Sequence, residues 1–487
     1  MNTASDANFS LRSYTWVNIL ALLILAASVA VFSYTRYYFV LAAPFALLFG
    51  AWLILNWKSF YWFYVLGIAF TAIVTVGSGI MYLPMMPLSL VAAGLALAVV
   101  LYNHKAVYSS FYRHPITLIM ALQFFWLVVS VMFSEIHFLS FKYLGVNVIQ
   151  LLSFVILPML VLKEEKDWIT LAKILLISFT LVGTFIFIRH ATYQFGYLAT
   201  NLVVYPFFFN HVDHGCLMSM LTPLPYIIWR QMDKGNKWRW FFLLLFAAFV
   251  LFTAMSLARA AMLAIIFSLV ILYAIRKRMV NFLMACFFLV CIGLVTYLVQ
   301  NDTYKRFRPN YEQTYSRATF DDLLKATFMG GDMSSMERIY RWIAAVRMSN
   351  ERPLTGVGPN NFYYYYKPHA VQMFRTYVSR NEEKSTTHNY FLFMLVEQGW
   401  PAMILYGVFI WALFAWAQRL YHRAEQWMHK RMALLSAMVI AAFFVNNFFS
   451  ELLQTYKIGA VFYMAVVLLF WLEMKVPKIK RLQQFAK

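Results

Sequence analysis

Three widely separated residues, Arg259, Arg338 and His388, carry side chains suited to holding an anion and accepting a proton. Arg259 sits in the run Ser256-Leu257-Ala258-Arg259-Ala260-Ala261-Met262, a lone cation between two apolar stretches. A central intramembrane arginine costs roughly 2.5 to 3.5 kcal/mol on insertion scales, so one that is retained usually faces protein, water or an ion path. It implies an anionic ligand at the membrane surface. In Arg338-Ile339-Tyr340-Arg341-Trp342, the i, i+4 spacing puts Arg338 and Trp342 on one helical face with Arg341 beside them. Ser334-Ser335-Met336-Glu337 has capping-box spacing and predicts an amphipathic helix starting there and running through Val346. A capped helix explains Ser334 and Glu337 but not an arginine and tryptophan face. Ser385-Thr386-Thr387-His388-Asn389-Tyr390 places an imidazole where a polar loop enters an apolar run. Histidine titrates near about 6.5 when unperturbed and can accept a proton at neutral pH. A lone histidine there also serves as an ordinary interfacial polar residue.

The segments that must position these groups are membrane helices. Of 487 residues, 62% are hydrophobic and 13% charged, and the mean hydropathy is +0.64. No soluble domain of this length carries that without large exposed apolar patches. The fold class is therefore all-α and polytopic. A net charge of +21 would suggest nucleic acid in a soluble protein, but the basic residues gather in short links between apolar runs, as the positive-inside rule predicts. Nucleic acid is disfavoured, and membrane lipids are the bulk partner. Cys216, Cys286 and Cys291 all lie in apolar runs, so neither a disulfide nor a zinc site is implied.

A span needs about 20 apolar residues, and on that measure about fourteen runs (12 to 14) begin near Trp16, Phe39, Phe60, Pro84, Pro115, Leu144, Ile169, Gly215, Trp240, Ala260, Asn281, Tyr390, Met432 and Lys457. The first reads as an uncleaved helix. Lysine and arginine at 163–166, 230–239, 276–278, 419–431 and 475–487 orient the set, with both termini cytoplasmic. The expected organisation is spans 1–11 in residues 1–300, a mostly helical periplasmic catalytic loop at 301–389, spans 12–14 in 390–474, and a basic cytoplasmic tail at 475–487. The loop carries 13 Lys/Arg against 9 Asp/Glu, an excess that attracts an anionic substrate.

Other polar groups compete for a role. His211-Val212-Asp213-His214 stands just before the span beginning at Gly215; no helix spacing puts all three side chains on one side for a metal, and donor or acceptor contact competes with an ordinary interfacial turn. Asp321-Asp322 reads better as the first turn of a helix capped by Thr319 than as a metal pair. Glu397 and Gln398, about two turns into the following span, call for an interhelical basic or hydroxyl partner. Arg352-Pro353-Leu354-Thr355-Gly356-Val357-Gly358-Pro359-Asn360-Asn361-Phe362 predicts a tight turn whose backbone can approach a ligand closely. The aromatics of 362–366, followed by Lys367, suit either sugar stacking or an interfacial belt.

The order of these pieces, from Ser256 to Arg259, through Arg338 to Trp342 and Pro353 to Phe362, to His388-Asn389 and Glu397-Gln398-Gly399, resembles the O-antigen ligase and polymerase superfamily, bacterial membrane glycosyltransferases related in fold to the GT-C class. The resemblance covers roughly residues 210–407. It implies that Arg259 and Arg338 hold the pyrophosphate of an undecaprenyl-linked glycan donor and that His388 acts on the acceptor hydroxyl, on lipid A core or another glycan. Arg341, Trp342, His211, Asp213, His214 and Asn389 are candidate substrate contacts. Glycosyl pyrophosphate already has a good leaving group, so the site needs cations for the departing charge and a base for the hydroxyl, whereas a hydrolysing glycosidase needs paired carboxylates. Attack opposite the leaving group predicts inversion, with no cofactor and no metal. A repeat-unit polymerase, a protein O-oligosaccharyltransferase, a lipid-linked glycan transporter and a non-catalytic sensor remain as alternatives. The transporter would call for a charge-lined midplane path and repeated halves, and neither is visible.

Overall fold

The computed structural model describes residues 15–35, 56–76, 79–300, 333–371 and 386–477, with isolated positions at 44–52 and at 303. The chain divides into two compact units, Met1–Trp62 and Phe63–Lys487. The first contains α1 (Thr15–Thr35), apolar along its whole length. Helix α2 (Trp57–Phe70) follows in the chain. The second unit continues with α3 (Met85–Tyr102), α4 (Pro115–Met132), α5 (His137–Val161), α6 (Glu165–Thr192), α7 (His211–Leu221), α8 (Pro223–Gln231), α9 (Trp238–Met255), α10 (Arg259–Arg276) and α11 (Val280–Val299). Helix α12 (Met333–Glu351) belongs to the long loop, and α13 (Tyr390–Arg423), α14 (Trp427–Phe448) and α15 (Tyr456–Lys475) complete the chain.

Ten of the described helices are long and apolar enough to cross a membrane. The protein is an all-α multi-pass membrane protein. Two of the fourteen expected runs are broken among the described residues. The run near Phe39 lies largely outside the described residues. That from Phe60 ends at Phe70, because the β-branched stretch Ile73-Val74-Thr75-Val76 pairs as β1 (Ala72–Val76) with β2 (Gly79–Leu83), in antiparallel register from Ala72 opposite Leu83 to Val76 opposite Gly79. The run from Gly215 is split into α7 and α8 by Pro223 and Pro225, which remove backbone donors.

Burial identifies the centre of the bundle. The apolar windows of α14 and α15 are 83% and 89% buried, against 22% for α4 and 11% for α11. Lipid is as apolar as leucine, so small residues and polar contacts must select such neighbours. Helix α14 supplies both: Ser436 donates to the Ala465 carbonyl (2.7 Å), Asn446 to Ser219 Oγ (3.0 Å) and Asn447 to the Tyr406 hydroxyl (2.9 Å), while Ser268 of α10 donates to the Met438 carbonyl (2.9 Å).

One irregular segment is threaded into this bundle. Helix α13 is interrupted at Gly399 (φ 82°, ψ 178°), two residues before Pro401, and the loop after α12 hydrogen-bonds to the backbone exposed there. Val357 N–H donates to Val396 O (2.9 Å), Gly358 N–H to Glu397 O (3.0 Å), and Trp400 N–H to Pro353 O (2.9 Å). The Glu397 carboxylate, 1% exposed, accepts from the amides of Asn360 (2.6 Å) and Phe362 (3.1 Å), with the Asn361 amide also bonded to it. Serines of α4 and α5 close the other side: Ser130 donates to Thr355 O (2.8 Å) and Ser140 to Pro359 O (2.7 Å). The partner of Glu397 is thus a row of main-chain amides, not the basic or hydroxyl group expected from the sequence. Non-helical backbone among membrane helices is tolerated only when its polar groups are satisfied by protein or by water in a cavity. Here protein satisfies them. An added Cβ at Gly399 would overlap the Leu354 carbonyl, at a φ that L residues rarely adopt. Gly399→Ala should therefore destabilise the fold by more than about 3 kcal/mol, read as loss of monodisperse protein in detergent; a variant with wild-type melting behaviour would refute this account of the break.

Candidate active site

The site is built around α12. One face of this helix is apolar: Ala344, Ala345 and Met348 pack with Val357, Phe362, Tyr366 and Val396, and Met336, Tyr340 and Ile343 pack with Val371. That anchorage leaves Arg338, Arg341 and Trp342 to face the entrance to α13. The helix starts at Met333, so Ser334 falls inside its first turn, and it extends to Glu351, beyond the predicted end at Val346.

Arg341 is 5% exposed and its guanidinium donates to the Thr386 carbonyl (3.1 Å); Trp342 Nε1 donates to the Thr387 carbonyl (3.1 Å). These two residues therefore grip the strand that carries His388. Asn389 is the N-cap of α13, its Oδ1 accepting from the amides of Phe391 (2.9 Å) and Leu392 (3.1 Å), an arrangement that typically contributes about 1 kcal/mol. His388, between grip and cap, is half-buried in the left-handed region at φ 50°. Burial first, then Arg341 and Arg338, push its imidazole down to about 3. The ring is neutral at physiological pH.

Arg338 connects this turn to a second cluster, because His211 lies within electrostatic range of both Arg338 and Arg259. His211 opens α7 and is held by Asn201, whose Oδ1 accepts from its backbone amide (3.0 Å) and faces Nδ1 (2.8 Å). With an amide oxygen as partner, Nδ1 carries the proton and Nε2 is left as an acceptor. Arg259 is the first residue of α10, after a turn in which Leu257 has φ 54° and Ser256 Oγ donates to Thr253 O (2.6 Å). It therefore lies at a junction between two spans rather than within one, where a guanidinium reaches polar surroundings at lower cost. Gly215 of α7 packs against that turn so closely that a Cβ would overlap Ser256 Oγ.

The four-residue cluster of 211–214 divides. It forms the first turn of α7, capped by Asn210 (Asn210 Oδ1 to Asp213 N, 2.8 Å), instead of preceding the helix. His211 joins the cations, while Asp213, about 200° round the helix from it, and His214 are buried. Asp213 is buried within electrostatic range of Lys457, whose ammonium donates to the Ala69 carbonyl (2.8 Å) and stands 4.5 Å from the Phe208 ring centroid. His214 is 3% exposed, packs edge-on against Phe208 and borders a small cavity with His190 and Ser256. The structure thus brings Arg259, His211, Arg338, Arg341, Trp342, His388 and Asn389 together, with Asp213 buried near Lys457 and His214 buried within electrostatic range of His211. Asp321 and Asp322 lie outside the described residues, and among those described no group of three His, Cys, Asp or Glu could hold a metal ion.

Two residues of the site region were not singled out from the sequence. In the sequence Lys457 marks only the start of a span. Glu451, between α14 and α15, accepts a hydrogen bond from the Thr387 hydroxyl and is raised to about 7 by burial, the Thr387 bond opposing the shift. The available signal was an acid placed in a short link between two apolar runs.

Residues 240–407 match the family model Wzy_C, O-antigen ligase. Over this segment the chain is similar to the O-antigen ligase family. The match runs from α9 to the middle of α13 and so includes Arg259, Arg338, Arg341, Trp342, His388 and Asn389, whereas His211 and Glu451 lie outside it. No individual curated protein matches the chain significantly. The match supports glycosyl transfer as the general activity, with a lipid-linked glycan and a glycan acceptor as the general partners. In such a site the Trp342 grip has a measurable consequence. Trp342→Phe keeps the ring but removes the donor to Thr387 O, and it should cost only about 1 kcal/mol of stability while lowering glycan transfer by about tenfold or more. Thermal melts and initial rates on the same preparation check this, and unchanged rates would show that the grip is dispensable.

Proposed function

We propose that this protein is an O-antigen ligase-type glycosyltransferase of the bacterial inner membrane. It moves a glycan from undecaprenyl pyrophosphate to an acceptor hydroxyl, on lipid A core, at the periplasmic face. The observation that carries this reading is the position of Arg338, within electrostatic range of both the imidazole of His388 and the His211 ring that also senses Arg259. Cations for a leaving diphosphate and an acceptor for a hydroxyl proton are thereby neighbours. The distribution of lysine and arginine supports the orientation, with the long loop outside and both termini in the cytoplasm.

In the proposed reaction the acceptor hydroxyl oxygen attacks the anomeric carbon opposite the diphosphate. The new C–O bond forms as the bond between the anomeric carbon and the phosphate oxygen breaks. The electron pair leaves with the diphosphate, the hydroxyl proton goes to His388, and configuration inverts. Arginine's planar fork suits phosphate oxygens, with charge-assisted bonds worth about 1.5 to 3 kcal/mol each. The amides at the start of α10 add a partial positive charge beside Arg259. Burial first, then Arg341 and Arg338, hold the imidazole at about 3, too weak a base for efficient proton transfer at neutral pH. A bound diphosphate offsets the guanidinium share of that depression and so raises the basicity in the donor complex.

Arg338→Ala should lower the rate of transfer about a hundredfold or more, the cost of removing one group that stabilises transition-state charge. His388→Ala should abolish transfer; normal transfer by that variant would remove the assigned base. The pH profiles carry a second expectation. The acidic limb of kcat, which reports the donor-bound state, should lie at higher pH than that of kcat/KM, which reports the free enzyme. Coincident limbs would refute arming by the donor. Activity should persist in excess chelator, and a loss restored by magnesium or manganese would overturn metal independence. Deleting the gene and analysing surface glycan separates the acceptors: loss of a ligase leaves long glycan on the carrier lipid and bare core, whereas single repeats on core would identify a polymerase.

A further inference from the structure

A general base is usually aimed by a partner bonded to its second ring nitrogen. His388 has none: among the described residues, neither ring nitrogen is hydrogen-bonded. Its direction must then come from its own main chain, which is held in a conformation that costs an L residue on the order of 1 to 3 kcal/mol unless the surroundings determine it. On the carbonyl side the surroundings are Arg341 and Trp342. On the amide side they are Glu451. Its carboxylate accepts from the Thr387 hydroxyl and from the main-chain amides of His388 and Asn389, with Arg341 within electrostatic range. Successive amides converging on one carboxylate form an anion nest, here filled by a side chain of the protein itself. The link that carries Glu451 is fixed in turn, because Asn447 Oδ1 accepts from the Leu452 amide (2.8 Å) and Gln150 donates to the Gln454 carbonyl (2.9 Å).

We infer that Glu451 is a positioning residue for His388, acting through the backbone of residues 387–389 and touching neither donor nor acceptor. The inference rests on the assignment of His388 as base. It differs from a purely structural latch in what it predicts for kinetics. A latch would alter folded yield and affinity alike, whereas a misplaced imidazole slows the chemical step at unchanged donor affinity.

The test uses the full-length protein in detergent or nanodiscs with a lipid-linked glycan donor and a core acceptor. Glu451→Ala should lower kcat by about tenfold to a hundredfold, the scale of a group displaced by about an ångström, with donor KM within about twofold of wild type. Glu451→Gln, which keeps one acceptor oxygen, should fall between the two. Thr387→Val removes the same bond from the other side and should lower kcat, while Thr387→Ser should restore it. This pair serves if Glu451→Ala does not fold. Amide exchange at residues 387–389 should speed up in Glu451→Ala and in Thr387→Val. If His388→Ala is inactive while Glu451→Ala and Thr387→Val turn over like wild type, this inference alone is overturned. A loss confined to donor KM overturns it as well. If His388→Ala retains transfer, the assigned base and its positioning residue fall together.

Discussion

The carboxylate of Glu397, surrounded by main-chain amides inside a membrane helix, is the constraint on which the rest of the site depends. Polar backbone in a membrane is stable only where every donor and acceptor finds a partner, and the segment from Pro353 to Phe362 finds its partners in the break of α13 and in the serines of α4 and α5. The same segment ends in Phe362, which packs beneath α12. The orientation of the helix that carries Arg338 is thus fixed by an acid lying about two turns inside the next span. Uncharged groups cannot substitute easily, since a carboxylate accepts several charge-assisted bonds at once. A buried acid with its lone pairs used in this way is a structural keystone.

Around that frame the histidines of the site feel guanidinium charge. Arg259, Arg338 and Arg341 all act on them, and Arg341 also lies within electrostatic range of Glu451, whose carboxylate is bonded to main-chain amides. The neutral imidazole of His388 follows from burial first and from these cations second. Cations that receive the leaving group also depress the base until the leaving group arrives.

How much of this could be read from the sequence depended on whether the signal was local. The face of Arg338 and Trp342, the helix carrying them, the entry of His388 into a span and the all-helical membrane class are expressed by spacing within one segment, and these agree with the structure. The hairpin of residues 72–83 was hidden because a short β-branched apolar run has the same hydropathy as a piece of span. The partner of Glu397 was hidden because main-chain amides leave no mark on residue type. Glu451 was hidden for a related reason: it reaches a turn 64 positions earlier in the chain, and only the packing of α14 and α15 against α13 brings them together. The inward turn of Asp213 and His214 likewise follows from where α7 begins, a boundary that sequence reading set four residues late, at Gly215 instead of His211.

The boundary of the matched family segment cuts across this site. Residues 240–407 hold the guanidiniums and the imidazole, while the histidine beside Arg259 and the acid behind His388 come from α7 and from the link before α15. Grafting the segment into a distant homologue would import the reactive groups and leave their supports to the host. A chimera of this kind would keep its site intact only where the host's flanking spans present a matching imidazole and carboxylate.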